Sequence, residues 1–247
     1  MKLSEYRQLC QKGKLYRKDV PFFYRVHRFW SIYITIALLS LGVRANTVTL
    51  LSFCTGAVSL CLLCVPHRGF FIAGCMVCYL SFLLDKCDGE VARYRGVFSA
   101  WGVYVDELYH LIINGALFTA VGIQLFMATE DVLFLIIGLV TSMEFVLVRV
   151  ERKLRFVIYC KSEKFRNMSP THKVFRLLPL IKSRFLGWPS ILTYYDMVIY
   201  MLVIFAFIGL NYFLYVCVFL YAYILLRRIV ISLSGGLEEN IASIDLS

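Results

Sequence analysis

Charge is scarce in this chain. Of its 247 residues, 17% are charged, 60% are hydrophobic and 16% aromatic, and the mean hydropathy is +0.73. Soluble domains carry about 25% charged and about 45–50% apolar residues. A soluble globule cannot hide so much apolar surface, so the composition points to an integral membrane protein. Disorder, a coiled coil and a nucleic-acid-binding module are excluded by the same numbers. A signal-peptide pattern is also lacking: the first 24 residues are polar and basic, with no apolar core and no small-residue cleavage site. The nine cysteines lie mostly in apolar segments and are expected to be free thiols rather than a disulfide framework. Internal repeats and low-complexity runs are missing. Acid is scarcer than base, 16 residues against 26, for a net charge of +10. In a membrane protein this excess reflects cytoplasmic loops that retain Lys and Arg.

A spanning helix needs about 20 apolar residues to cross roughly 30 Å of hydrocarbon. Six stretches qualify: 46–66, 69–95, 99–126, 131–157, 188–209 and 211–233. The expected fold is therefore all-α, with six transmembrane helices. The run from Phe29 to Val43 is too short. Within and before it, Arg25, Arg28, Ser31 and Thr35 recur at spacings of 3, 3 and 4, a single helical stripe. This predicts an amphipathic helix lying in the membrane interface, with Trp30 and Tyr33 at headgroup level; a seventh short span is the rival. Three regions follow: a cytoplasmic N-terminal segment 1–45, a six-helix domain 46–233, and a polar cytoplasmic tail 234–247.

Basic residues set the expected orientation. With the N-terminus inside, 25 of the 26 Lys and Arg residues fall on or near the cytoplasmic side, and Arg68 alone lies outside. Both termini are then cytoplasmic. So is the basic loop of about 158–187, which suits adhesion to anionic membrane lipid.

Ionisable groups inside a bilayer are expensive and usually functional. Asp85 and Asp88 sit near the end of the second predicted span, and Asp106, Glu107 and His110 near the start of the third. Asp85, Asp88 and Ala92 share a face, as do Gly102, Asp106 and His110. The intervening turn centres near Val97. Asp88 and Asp106 are nine residues from it on either side; Asp85 is twelve before and His110 thirteen after. At about 1.5 Å per residue the depths match, at roughly 13–20 Å from the turn. Three carboxylates and an imidazole then face one cavity open to the cytoplasm. Carboxylates so gathered repel unless a cation neutralises them, and oxygen donors favour Mg²⁺, Mn²⁺ or Ca²⁺. Gly89, Ala92 and Gly102 keep the walls low for an approaching group. The structural alternative is salt bridging of Asp85 or Asp88 with Arg93 or Arg95. Two further readings stay open: a cation pathway through the acids, and a zinc site at Cys61-x2-Cys64 or Cys75-x2-Cys78. The cysteine pairs lie in uninterrupted apolar helices, away from the ionisable cluster, which disfavours zinc.

The stretch 85–110 resembles the signature of the CDP-alcohol phosphotransferase (CDP-alcohol phosphatidyltransferase) family, D-x2-D-G-x2-A-R-x8-G-x3-D-x3-D. Asp85, Asp88, Gly89, Ala92, Arg93, Gly102 and Asp106 fall in register. Asn46-Thr47-Val48-Thr49 is similar to the family's P-N-x-x-T at the start of the first span, with Ala45 where proline is usual. The last motif position, an aspartate in the family, is His110 here. The resemblance implies a transferase of phospholipid or related lipid synthesis that moves a phospho-alcohol group from a CDP-linked donor to an alcohol and releases CMP. It implies Asp85, Asp88 and Asp106 as ligands of Mg²⁺ or Mn²⁺, with a second ion in doubt because histidine is a poor Mg²⁺ ligand. Asp88, Gly89, Ala92, Arg93, Asn46 and Thr49 would lie along the nucleotide. His110, beside Asp106, would take the proton of the acceptor hydroxyl. Glu107 points about 100° away and is a poor substitute ligand. Glu144 and Asp196 are further intramembrane acids. Arg149, Arg152, Lys153 and Arg155 could draw an acceptor phosphate or simply anchor the fourth span. The partners implied are a CDP-linked donor, an alcohol or lipid acceptor, membrane lipid and a second copy in a homodimer, with no nucleic acid. The His110 departure also admits a catalytically silent relative that binds CDP-lipid or scaffolds a lipid-synthesis enzyme.

Overall fold

The computed structural model describes residues 2–11, 22–161 and 195–233. The described residues form eight α-helices and no strand: α1 Leu3–Gln11, α2 Phe22–Ser40, α3 Ala45–Cys64, α4 Arg68–Arg95, α5 Ala100–Thr129, α6 Val132–Lys161, α7 Tyr195–Ile208 and α8 Leu210–Leu233. Among them α3, α4, α5 and the 132–151 part of α6 are long and apolar enough to cross a bilayer. The protein is a multi-pass membrane protein. The apolar stretches described in α7 and α8, Val198–Ile208 and Leu210–Leu226, are shorter. The loop expected at 158–187 lies largely outside the described residues, and the 234–247 tail wholly so.

Local chemistry fixes the connection that carries the site. Gly96 ends α4 in the left-handed region (φ 65°), a conformation cheap for glycine, and its N–H returns to the carbonyls of Ala92 and Arg93. Three residues later Ser99 caps α5, its hydroxyl accepting from the Gly102 N–H at 2.9 Å. α4 and α5 are thereby sent in opposite directions across a short turn.

α3 packs against both α4 and α5, while α4 and α5 touch each other sparsely. The three helices lock where α3 is thin. A Cβ on Gly56 would come within 2.6 Å of Ile113 and about as close to Ser81 and Tyr109 as tight packing allows, at 3.1 and 3.2 Å. There the Ser81 hydroxyl donates to the Ser52 carbonyl at 2.8 Å, so the Tyr109 hydroxyl donates to Ser81 at 2.9 Å. α5 and α6 cross at Gly122 and Gly138, where a Cβ on either would meet the other's backbone. A larger apolar core joins α3–α8 through Leu63, Phe82, Leu117, Phe118, Val198 and Phe213. None of the eight cysteines with described side chains is in a disulfide.

The N-terminal helices lie on α4. The polar stripe of α2 turns inward: Arg28, Ser31 and Thr35 are buried, and Arg25 is exposed. Phe29, Trp30 and Tyr33 face outward. What draws the stripe in is Glu90, which is fully buried and must find donors.

Candidate functional site

Asp85, from α4, and Asp106 and His110, from α5, meet toward the end of the bundle where the α4–α5 turn lies. One ligand atom from each lies within 4.8 Å of the others. His110 Nε2 stands 3.6 Å from Asp85 Oδ1 and 3.7 Å from Asp106 Oδ1. Asp85 and His110 are mostly buried, and Asp106 is partly open. Of the four groups expected to share one cavity, three thus meet. The charge is partly offset from one side: Lys86 Nζ donates to Asp85 Oδ2 at 2.8 Å while also lying over the Phe82 ring. Oδ1 of Asp85 remains on the His110 side.

Asp88 is placed differently. It sits outside that group and faces α3, where Thr49 Oγ1 donates to its Oδ2 at 2.8 Å and the Gly89 N–H to its Oδ1. Thr49, expected near the nucleotide, and Asp88, expected both there and as a metal ligand, are thus each other's partner. The alternative of salt bridges from Asp85 or Asp88 to Arg93 or Arg95 is not seen among the described residues. Asp85 takes Lys86 instead, and Arg93 Nε donates to the Cys10 carbonyl of α1.

The small motif residues admit neighbouring side chains as well as leaving room. A Cβ on Gly89 would lie 3.1 Å from Arg93 Nη1, so glycine lets the guanidinium lie flat on its own helix. A Cβ on Gly102 would lie 2.9 Å from Asn46 Oδ1 and 3.0 Å from Ser99 Oγ. Asn46 accepts from Ser99 at 2.9 Å, tying the start of α3 to the cap of α5. Above this junction opens a cavity of about 330 Å³ lined by Arg44, Ala45, Asn46, Ala92, Arg95, Val97 and Ser99. Asn46 and Ala92 were expected along the nucleotide; Arg44 and Arg95 add two cations to the same wall.

Other expected residues are accounted for outside the cluster. Glu107 pairs with Arg149 at 3.1 Å and with Lys153, so it is committed to α6. Glu144 is half-buried on α6. Tyr200 stacks on His27 as a packing aromatic. The side chains of Arg152, Arg155, Tyr194, Tyr195 and Asp196 lie outside the described residues.

Sequence reasoning missed two features. Glu90, inside the motif, collects Arg28 Nη1 (2.8 Å), Gln11 Nε2 (3.0 Å) and the Ser31 hydroxyl (2.7 Å) on Oε1, and the Thr35 hydroxyl (2.7 Å) on Oε2. The α2 stripe was the signal, once a buried acid was sought for it. Asn114 is fully buried with its amide nitrogen 2.9 Å from His110 Nδ1. It continues the series Gly102, Asp106, His110 at a spacing of four.

The donor set suits a small divalent cation. Two carboxylate oxygens and one imidazole nitrogen, 3.6 and 3.7 Å apart, have the spacing of neighbouring ligands on one ion with bonds of about 2.1–2.5 Å. Among the described residues no other trio of Asp, Glu, His or Cys side chains is so gathered, and the Cys61/Cys64 and Cys75/Cys78 pairs are not part of one.

Comparison with known proteins gives this geometry its context. The chain is 37% identical over 81 residues to a phosphatidylinositol phosphate synthase of Streptomyces avermitilis, across 33% of this chain and 32% of that protein. It is 31% identical over 113 residues to a phosphatidylinositol phosphate synthase of Cutibacterium acnes, across 43% of this chain and 54% of that one. The chain thus matches about a third to a half of the length of these relatives. The profile of one family covers residues 43–172, just over half of the chain, and takes in α3, α4, α5 and the motif that spans them. By that match the chain belongs to the CDP-alcohol phosphatidyltransferase family.

Proposed function

We propose that this protein transfers a phosphatidyl-type group from a CDP-linked lipid to an alcohol, with a divalent cation, and releases CMP. The observation that carries the reading is the convergence of Asp85, Asp106 and His110 on two consecutive motif helices, with a cavity walled by Arg44 and Arg95 nearer the turn between them. Asp85 and Asp106 would hold Mg²⁺ or Mn²⁺, with Asp88 a turn away on α4. Bound there, the cation neutralises the diphosphate and makes CMP a better leaving group.

The chain's own groups do the rest. Arg44 and Arg95 attract the donor's diphosphate, and Asn46 and Ala92 shape the pocket for the nucleotide. The acceptor hydroxyl approaches from the His110 side. Its oxygen forms a bond to the donor phosphorus as its proton passes to His110 Nε2, and the bond to CMP breaks with its electron pair leaving on CMP. The low-dielectric walls of α3–α5 strengthen each of these interactions.

The names of both relatives support a phosphatidyl donor and make an inositol phosphate the first acceptor to test. The basic asymmetry supports a site and termini on the cytoplasmic face and a six-span unit over 46–233 that uses α7 and α8. By family, the protein works as a homodimer.

The decisive experiment uses purified full-length protein, Mg²⁺ or Mn²⁺, labelled CDP-diacylglycerol and a panel of alcohols that includes inositol phosphate. Metal-dependent CMP release with a phosphodiester product supports the transferase. Saturable CDP-lipid binding without CMP release from any alcohol would instead identify a silent relative, the reading that the His110 departure keeps in play.

A further inference from the structure

We infer that Asn114 is the positioning residue for His110: its side-chain oxygen accepts the Nδ1 proton, so that Nε2 faces Asp85 and Asp106 with a lone pair. The inference rests on the reading above, in which Nε2 is the working atom of the ring.

A neutral imidazole carries one proton, on one nitrogen or the other. Nε2 points at two carboxylate oxygens, at 3.6 and 3.7 Å. Both distances exceed that of an N–H···O hydrogen bond, so neither carboxylate claims a proton there. Any use of the ring at this site needs Nε2 unprotonated, whether it takes the proton of an alcohol or ligates a cation. The proton then sits on Nδ1 and requires a buried acceptor.

Asn114, one turn further along α5, supplies it. The side chain is fully buried and its amide lies 2.9 Å from Nδ1. The nitrogen faces the ring and the oxygen is buried without a hydrogen-bond partner among the described residues. The two ends of a side-chain amide have nearly the same shape, and their assignment follows from the hydrogen-bond network. A half-turn of the amide sets the oxygen on Nδ1–H. The opposite tautomer, with the amide nitrogen donating to Nδ1, would put a proton on Nε2 and close the ring to both uses. A family aspartate at position 110 would need no such partner, because a carboxylate has no tautomer to fix.

The test has an arm that needs no turnover. Full-length protein labelled with ¹⁵N-histidine is examined in detergent at pH 8, with the His110 signals identified by their loss in His110→Asp. The expected result is a ring protonated at Nδ1 and bare at Nε2, kept in Asn114→Asp, whose ionised carboxylate accepts, and lost in Asn114→Leu. A proton on Nε2 in the wild type, or an unchanged tautomer in Asn114→Leu, overturns the inference. In the activity arm, Asn114→Leu lowers CMP release roughly 10–100-fold, and Asn114→Asp keeps it within about tenfold of wild type. In a His110→Asp background the cost of Asn114→Leu shrinks by at least about tenfold, which a merely structural role would not show. Equal loss in Asn114→Asp and Asn114→Leu, or an undiminished cost in the His110→Asp background, overturns it. If no alcohol yields CMP, the transferase reading fails and the tautomer alone decides this one.

Discussion

Two acidic centres lie on α4 within five residues, and they are built in opposite ways. Glu90 is fully buried, and four side chains from α1 and α2 donate to it, one of them a guanidinium. Its charge and lone pairs are consumed by the protein. Asp85 is nearly as buried, yet it has Lys86 on one oxygen and, on the other side, an imidazole at 3.6 Å, too far for a hydrogen bond, and the Asp106 carboxylate of the same cluster. Burial alone does not separate structure from function here. What separates them is whether the protein completes the shell of the carboxylate or leaves part of it for something else.

The contrast can be broken most directly at the incomplete centre. Asp85→Asn and Asp106→Asn should each lower metal-dependent CMP release by more than about 10³-fold while the thermal midpoint in detergent stays near that of the wild type. Near-normal turnover in both would dissolve the distinction. His110→Ala should cost about 10²–10⁴ in rate. A loss below tenfold would move the proton to another group, such as Glu107 or the substrate itself.

At the complete centre the effect should fall on stability. Glu90→Gln removes the charge opposite buried Arg28 and should destabilise the fold by about 3–5 kcal/mol, read from thermal unfolding in detergent. The double variant Glu90→Gln with Arg28→Met should recover part of that loss. Full stability of Glu90→Gln, with weakened Mn²⁺ binding, would make Glu90 part of the site. Thr49→Val is the mildest test. It removes one donor from Asp88 and should cost about 1 kcal/mol by the same thermal measurement; a larger loss of Mn²⁺ affinity than of stability would show that Thr49 aims Asp88 toward the ion.

Much of this was legible in the residues. The ends of α3, α4 and α5 fall within a few residues of expectation, because apolar length sets the span and Gly96 and Ser99 mark the turn. Counting residues from that turn matches Asp85 with His110 and Asp88 with Asp106, since rise per residue is constant in a helix. The face of Asp88 could not be read so simply. Its position three residues after Asp85 put it on the same side of α4, but α3 lies close enough for Thr49 to claim it. Arg28, Ser31 and Thr35 were legible as a stripe but not as donors to one acid, because Glu90 is 55 or more residues away in sequence.

By itself the sequence determined that this is a helical membrane protein with carboxylates set at matched depths on two consecutive spans, and its motif and profile placed it in its family. Local rules suffice for that: hydropathy, helical rise and turn chemistry act over a few residues at a time. Only the tertiary structure decided which acids are satisfied and which are left open. That depends on which helices lie against α4, with α1 and α2 closing over Glu90 and α3 reaching Asp88. Hydrogen bonds between side chains on different helices form only once the packing has set their distances, and neither helical periodicity nor composition encodes those distances.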